Sequence, residues 1–188
     1  FIDYLSVPGG QLRQTLRAPD GTLLINNAST NDTGPLTLGQ TGTYQLVLDG
    51  FRDNTPTYTV LLADASPIAR PLTLGSRSES ILGSPHKPDH WTFNGIDGQS
   101  LFLDWHAFDG GTINVILRAP SGTLILNRSE GFINSNLDRG PLDLTETGQY
   151  TLEVTSAASP VPYAFTLHNV PAPDVFNYGL GQVALGQI

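Results

Sequence analysis

Leu16–Asn26 reads LRAPDGTLLIN, and Leu117–Asn127 reads LRAPSGTLILN. Laid over itself with a shift of 101 positions, the stretch Phe1–Asn26 falls on Phe102–Asn127 without a gap, and Gly9, Gly10, Leu16, Arg17, Pro19, Gly21 and Thr22 recur identically. A five-residue insertion at Gly131–Ser135 moves the register to 106, which lays GPLTLGQTGTYQLVL (Gly34–Leu48) on GPLDLTETGQYTLEV (Gly140–Val154). Further on, Pro56-Thr57-Tyr58 meets Val161-Pro162-Tyr163, and Leu74-Gly75 meets Leu180-Gly181. A period of roughly a hundred residues is too long for a solenoid unit and suits a domain with a core of its own.

The phasing of the repeat is informative. Repeat A, residues 1–71, lacks an opening; repeat B, residues 72–177, is complete; residues 178–188 start a third copy. Such a chain reads as a window on a longer tandem array. Repeat A has no counterpart of Leu72–Leu101, which holds a strand near Glu79–Leu82 and an aromatic strand at Trp91. An unpaired strand edge over a half-open core is costly, so another segment is expected to fill the place. The tail Tyr178–Ile188 matches Leu72–Leu82. Its residues Val183, Leu185 and Ile188 are expected to form an assembly strand that points toward a neighbouring unit. Two readings stay open: preceding residues of a longer chain complete repeat A, or the tail of one subunit inserts into repeat A of the next.

Composition narrows the class. Charged residues make up 14% of the 188, while glycine (20) and proline (14) are abundant. Against a usual charged share of about 25%, that balance suits turn-rich antiparallel β structure. The net charge of −8 and the single lysine, Lys87, argue against nucleic acid, because a phosphate-binding surface needs clustered cations. The absence of cysteine excludes disulfides, thiolate metal sites and thiol catalysis. No apolar run approaches the ~18 residues of a membrane span.

Within each repeat the apolar residues alternate. Tyr150, Leu152 and Val154 interleave with Thr151 and Glu153, and Tyr163, Phe165 and Leu167 with Ala164, Thr166 and His168. Period 2 gives strands with one buried and one wet face. Further strands read at Trp91–Phe93, Leu101–Trp105, Ile113–Leu117 and Thr123–Leu126, separated by turns such as Ala119-Pro120-Ser121-Gly122. The pattern Leu-x-x-Thr-Gly-x-Tyr, at Leu38–Tyr44 and Leu144–Tyr150, looks like the tyrosine corner of Greek-key sandwiches. The fold expected is all-β: tandem antiparallel β-sandwich domains, jelly-roll or Greek-key-like. The core of B is expected to hold Trp91, Phe93, Leu103, Trp105, Val115, Leu117, Tyr150, Leu152, Tyr163, Phe165 and Leu167. That of A should hold Ile2, Tyr4, Leu16, Tyr44, Leu46, Tyr58, Val60 and Leu62.

The order His90-Trp91-Thr92-Phe93, Gly98-Gln99-Ser100-Leu101, the Pro-x-Gly-Thr turn within Ile113–Thr123, Thr147-Gly148-Gln149-Tyr150-Thr151-Leu152 and Tyr163-Ala164-Phe165 resembles the bacterial pre-peptidase C-terminal (PPC) domain. The likeness extends to the PPC-like repeats of large secreted or cell-surface proteins and covers all of repeat B and most of A. It implies a small jelly-roll-like sandwich that is non-catalytic, extracellular, and appended to enzymes or strung in arrays. Some members carry carboxylate-rich calcium positions before the first aromatic strand; here Lys87-Pro88-Asp89-His90 offers one acid.

The internal copy is a control on candidate chemistry, since a residue doing repeat-level work should recur. The four histidines do not: His106 lies on Leu5, His168 on Ala63, and His86 and His90 fall where repeat A has no sequence. His86-x-x-x-His90 has a helical zinc spacing, but Pro85 and Pro88 preclude a regular helix. Calcium, which wants six to eight oxygens, has Asp97, Asp104 and Asp109 as candidates, of which only Asp104 recurs, as Asp3. The recurring charges Asp3/Asp104 and Arg17/Arg118 are expected to form a cross-strand structural pair, if the strands around Gly110-Gly111-Thr112 make a hairpin. No Ser-His-Asp set recurs, and Gly9-Gly10 and Gly140-Pro141 are turn residues with no helix to cradle phosphate. Trp91 and Trp105 sit at inward strand positions, which favours core over sugar platform.

The function expected is a non-catalytic structural repeat of an extracellular or cell-surface array, filament or surface layer, with no cofactor. It would assemble on copies of itself or neighbouring repeats of the same chain, through sandwich contacts and strand donation, as structural protein or in adhesion. The alternative is a glycan- or calcium-binding module accessory to a secreted hydrolase, with surface glycans as partners and the Gly131–Ser135 insertion, including Phe132, as its loop.

Overall fold

The computed structural model describes residues 1–29, 31–108, 111–130 and 138–171, with side chains left aside at Ala28, Ser29, Ala107, Phe108 and Glu130. The described residues form strands and turns, with no helix among them. The chain divides into two compact units, Phe1–Ser66 and Pro67–Ile188.

The first unit holds β1 (Ile2–Ser6), β2 (Leu12–Arg17), β3 (Leu23–Ser29), β4 (Gln45–Gly50) and β5 (Thr59–Leu62). One sheet has the order β3-β2-β4, and β1 pairs with β5 in another. The second unit begins with β6 (Ile68–Pro71), β7 (Arg77–Leu82), β8 (Asp89–Gly95) and β9 (Ser100–Phe108). It continues with β10 (Ile113–Arg118), β11 (Leu124–Glu130), β12 (Arg139–Asp143), β13 (Gly148–Ser156) and β14 (Val161–Val170). Its sheets have the orders β11-β10-β13-β8-β6 and β12-β9-β14-β7.

Where both units form a ladder, its register corresponds. Leu12 faces Ser29 on one side and Gly50 on the other, as Ile113 faces Glu130 and Ser156. The β2–β3 register slips between Leu16 and Arg17, and the β10–β11 register slips between Leu117 and Arg118. Tyr4 faces Val60 and Ser6 faces Thr59 across an irregularity, as Trp105 faces Phe165 and Ala107 faces Ala164. Ile2 bridges Thr33 where Leu103 pairs with Arg139. The Tyr4 amide donates to Asp32 Oδ1 (2.9 Å), as the Trp105 amide does to Asp138 Oδ1 (2.7 Å).

The corners repeat as well. Tyr44 Oη accepts from the Gln40 amide (2.9 Å) and donates to the Gln40 carbonyl (3.0 Å), while Tyr150 does both to Glu146 (3.0 and 2.8 Å). Each corner is tied to the preceding hairpin turn with the polarity reversed: Gln40 Nε2 donates to Asp20 Oδ2 (2.7 Å), whereas Ser121 Oγ donates to Glu146 Oε1 (2.5 Å). The bond from Gln40, followed by those from Thr22, lowers the Asp20 carboxyl below its ordinary value. Gly42 and Gly148 take φ of 145° and 151°, and a Cβ there would meet Pro19 at 2.8 Å or Pro120 at 2.9 Å. Both corners therefore require glycine. Replacing Tyr150 with Phe removes both corner bonds from a buried ring and is expected to cost the second unit about 1–3 kcal/mol, measured as a shift of its urea unfolding midpoint.

The second unit buries side chains of both of its sheets in one apolar cluster, among them Leu82, Trp91, Phe93, Leu101, Leu103, Val115, Leu117, Tyr150, Leu152, Phe165 and Leu167. Phe93 stacks on Tyr150 (5.5 Å), and Trp91 meets Phe165 edge-on (5.6 Å, 88°). Trp105, expected fully inside, is partly buried and stacks on Phe165 (5.3 Å) and Tyr163 (5.9 Å).

Three differences from the sequence reading stand out. Ile68–Pro71, assigned above to repeat A, pairs parallel with β8 and so belongs with the second unit. Pro71 has no amide hydrogen, which an edge strand tolerates. Second, β9 and β10 lie in different sheets, so the hairpin that would set Asp104 opposite Arg118 does not form. Arg118 Nη1 instead reaches the Gly122 carbonyl (3.5 Å), and Arg17 Nη1 the Gly21 carbonyl (3.1 Å), each closing its own turn. Third, Tyr58 and Leu62, placed in the core of A, are 48% and 65% exposed. Among the described residues, no strand covers the matching edges of the first unit.

Candidate functional site

In the second unit, β8 covers the outer edge of β13 and β7 covers that of β14. The first unit has counterparts of β13 and β14, namely β4 and β5, but no described strand on their outer edges. The consequence is visible position by position. Leu144, Tyr163 and Leu167 are 1%, 3% and 1% exposed, whereas their counterparts Leu38, Tyr58 and Leu62 are 55%, 48% and 65% exposed. Tyr44, Leu46, Leu48 and Val60 are partly buried where Tyr150, Leu152, Val154 and Phe165 are fully buried. The exposed side chains are those that β7 and β8 cover in the second unit. They make an apolar face beside two strand edges that no described strand covers.

Behind the patch the first unit closes its interior differently. Ile2, Tyr4, Leu12, Leu16 and Ile25 are buried, together with Gln14 in the place of Val115. Tyr4 Oη donates to Gln14 Oε1 (3.1 Å), and Gln14 Nε2 donates to Thr33 Oγ1 (2.7 Å). The amide is thus satisfied on both sides. Burial raises the Tyr4 phenol above its ordinary value, and Tyr58 adds to the shift.

What β6, β7 and β8 bring to the second unit is specific chemistry as well as area. Asp89 is completely buried, and Tyr163 Oη donates to its Oδ2 (2.5 Å). Trp91 Nε1 donates to Tyr163 Oη (2.8 Å), and Arg70 Nε stands 2.9 Å from Asp89 Oδ1 with its guanidinium 5.6 Å over the Trp91 ring. A buried carboxylate thereby has a cation and a phenol as partners, which is what its desolvation demands. Burial, and then the Asp89 carboxylate, push the Tyr163 phenol far above its ordinary value of 10.0. The unfolded chain releases this proton near pH 10 while the folded chain retains it, so the stabilisation is complete below about pH 10 and is lost as pH rises beyond it. Unfolding midpoints are expected to be unaffected by this group between about pH 8 and 9 and to fall as pH rises from about 10 toward 12 in the native chain, less steeply in Tyr163→Phe.

The remaining candidates are dispersed. Asp97 borders a cleft of about 850 Å³ with Ile96, Gln99, Asp143, Asn169 and Val170. The polar groups of that cleft engage one another: Gln99 Nε2 donates to Asn169 Oδ1 (2.8 Å), and Ser100 Oγ donates to Asp143 Oδ1. Asp104 lies in the middle of β9 beside His168 Nε2 (3.5 Å) and His106 Nδ1 (3.9 Å) and does not line the cleft that Asp97 borders. Among the described residues no set of three or more such ligands is placed to hold a metal ion. His90 Nε2 pairs with Glu153 Oε2 (2.9 Å) across the β8–β13 ladder. Asp109, the Gly131–Ser135 insertion and the strand residues Val183, Leu185 and Ile188 lie outside the described residues. The Asp89–Arg70–Tyr163 set was missed by sequence reasoning, although Asp89 stands in phase with Trp91 and Phe93 on the inward face of β8.

No protein family and no curated protein matches the chain. Among solved structures it is similar to PliG of Aeromonas hydrophila, a periplasmic inhibitor of g-type lysozyme, at 13% identity and a TM-score of 0.42, over 56% of this chain and 98% of that one. PliG of Salmonella Typhimurium, also a periplasmic lysozyme inhibitor, is similar at 14% identity and a TM-score of 0.35, over 53% of this chain and 98% of that one.

Proposed function

We propose that the chain is a non-catalytic structural protein of an extracellular or cell-surface array, built from PPC-like β-sandwich repeats that complete one another through strand contacts. The observation that carries this reading is the pair of units with the same ladders, one covered by β6, β7 and β8 and the other open at the matching edges. A module with strand edges that no described strand covers is suited to linear assembly, because each repeat can take its cover from a neighbour. The histidines do not recur, and the recurring Asp32 and Asp138 each accept a backbone amide, which agrees with a structural role.

The alternative, a glycan- or calcium-binding module beside a secreted hydrolase, draws on the cleft that Asp97, Asp143 and Asn169 border. A glycan-array screen and calorimetry against calcium with the full chain separate the two. The structural reading expects neither glycan retention nor calcium heat. Calcium binding at micromolar affinity, or a defined glycan captured by the chain, would replace it with the binding module.

A further inference from the structure

We infer that the cleft beside the β8–β9 turn binds an arginine side chain presented by a peptide segment of a partner protein. The inference concerns the second unit alone and is independent of the array reading. At about 850 Å³ the cleft has the size of a site for a small ligand or a short piece of peptide. Three elements meet there: the turn at residues 96–99, the end of β12 with Pro141 and Asp143, and the end of β14 with Asn169 and Val170.

The walls are held in place by their own bonds. The Ile96 amide donates to Gln99 Oε1 (3.1 Å), the Asp97 amide to Thr147 Oγ1 (3.0 Å), and the Gly98 amide to the Leu144 carbonyl (2.9 Å). Gln99 Nε2 ties the turn to β14 through Asn169 Oδ1 (2.8 Å), and Ser100 Oγ ties β9 to β12 through Asp143 Oδ1. Groups fixed in this way lose little freedom when a ligand arrives.

What these bonds leave open decides the ligand. Among the described residues nothing pairs with the Asp97 carboxylate, and Asp143 accepts at Oδ1 alone. The lining holds no lysine, arginine or histidine to balance the two acids. Leu74, Ile96, Pro141 and Val170 supply its apolar wall, with Ile96 65% exposed, and no aromatic ring offers a sugar platform. Calcium needs more oxygens than the described acids bring together. Two open carboxylates between aliphatic walls suit a donor-rich cation on an apolar stem. The arginine guanidinium is a planar fork of donors that stays charged and sheds water more readily than an ammonium, and its methylenes pack on aliphatic surface. Asn169 Nδ2, which no described group engages, is the donor for a carbonyl of the peptide that carries the arginine. Asp143 stands where the first unit has Thr37, so the acid pair is particular to the second unit. The net charge of −8 draws a basic partner toward the chain.

Titration of the full chain with a blocked Gly-Arg-Gly peptide, followed by amide chemical shifts, tests the inference. Saturable shifts are expected at residues 96–100, Asp143 and Asn169. The lysine peptide should bind more weakly, and the citrulline peptide, which keeps the shape and loses the charge, should give none. Free arginine, whose own carboxylate meets two acids, should also bind more weakly than the peptide; the reverse order would overturn the peptide as the source. Asp97→Asn and Asp143→Asn are each expected to weaken the arginine peptide about tenfold, the loss of one charge-assisted hydrogen bond, and Asp53→Asn in the first unit to leave it unchanged. Absence of saturable shifts, equal binding of the citrulline peptide, or the same loss in Asp53→Asn as in the cleft variants would overturn the inference. The citrulline comparison uses the unsubstituted chain and decides the matter even where a substitution disturbs the turn.

Discussion

Trp91→Ala is expected to lower the stability of the second unit by about 3–5 kcal/mol, a large part of what a domain of this size has. The ring fills the space between β8 and Phe165, stands under the Arg70 guanidinium and donates to Tyr163 Oη. Truncation leaves a cavity, an unpaired lone pair on a buried phenol and an ion pair without its apolar floor. Both tryptophans of the chain lie in the second unit, so indole fluorescence reports on that unit alone, and Trp105 remains as the probe in the variant. A shift of the urea transition worth less than about 1 kcal/mol would mean that β8 does not cover this interior.

Asp89→Ala ranks next. Removing one member of a buried pair leaves the other uncompensated and typically costs about 3–5 kcal/mol. Arg70 is 29% exposed and regains some water, which places the cost toward the lower end, and Tyr163 keeps its bonds with Trp91 and Ser80. The same fluorescence-detected unfolding measures it. Arg70→Met in the Asp89→Leu background should recover most of the loss, because replacing both charges by apolar groups of similar volume removes the unpaired ion. A double variant as unstable as Asp89→Ala would show that the set does not act as a pair.

Much of the β structure was legible in the residues. The period-2 runs at Tyr150–Val154 and Tyr163–Leu167 became β13 and β14, and the corner pattern ending in Tyr44 and Tyr150 has the bonds it was expected to have. Strand pairing was less legible. The Gly110-Gly111-Thr112 stretch carries a hairpin composition, yet the strands on either side of it enter different sheets, because alternation fixes which face is buried and leaves open which strand lies alongside. Asp89 was read against calcium positions, when its phase with Trp91 and Phe93 marked it as an inward group in need of a cation. Arg70, the partner, lies outside any repeat match and in a strand whose parallel pairing no local pattern announces. Tyr58 and Leu62 were assigned to the core by analogy with Tyr163 and Leu167, and they are exposed because no described strand of the first unit stands where β7 and β8 stand in the second.

The account turns on that difference in edge cover between the two units, and amide hydrogen exchange of the full chain at high dilution measures it directly. The amides of β4 and β5 that point away from β2 and β1 are expected to exchange at least a hundredfold faster than their counterparts in β13 and β14, and to become protected as concentration rises and neighbouring chains engage. Equal protection of the two sets at every dilution would show that the first unit is closed by its own residues, and would contradict both the open module and the assembly built on it.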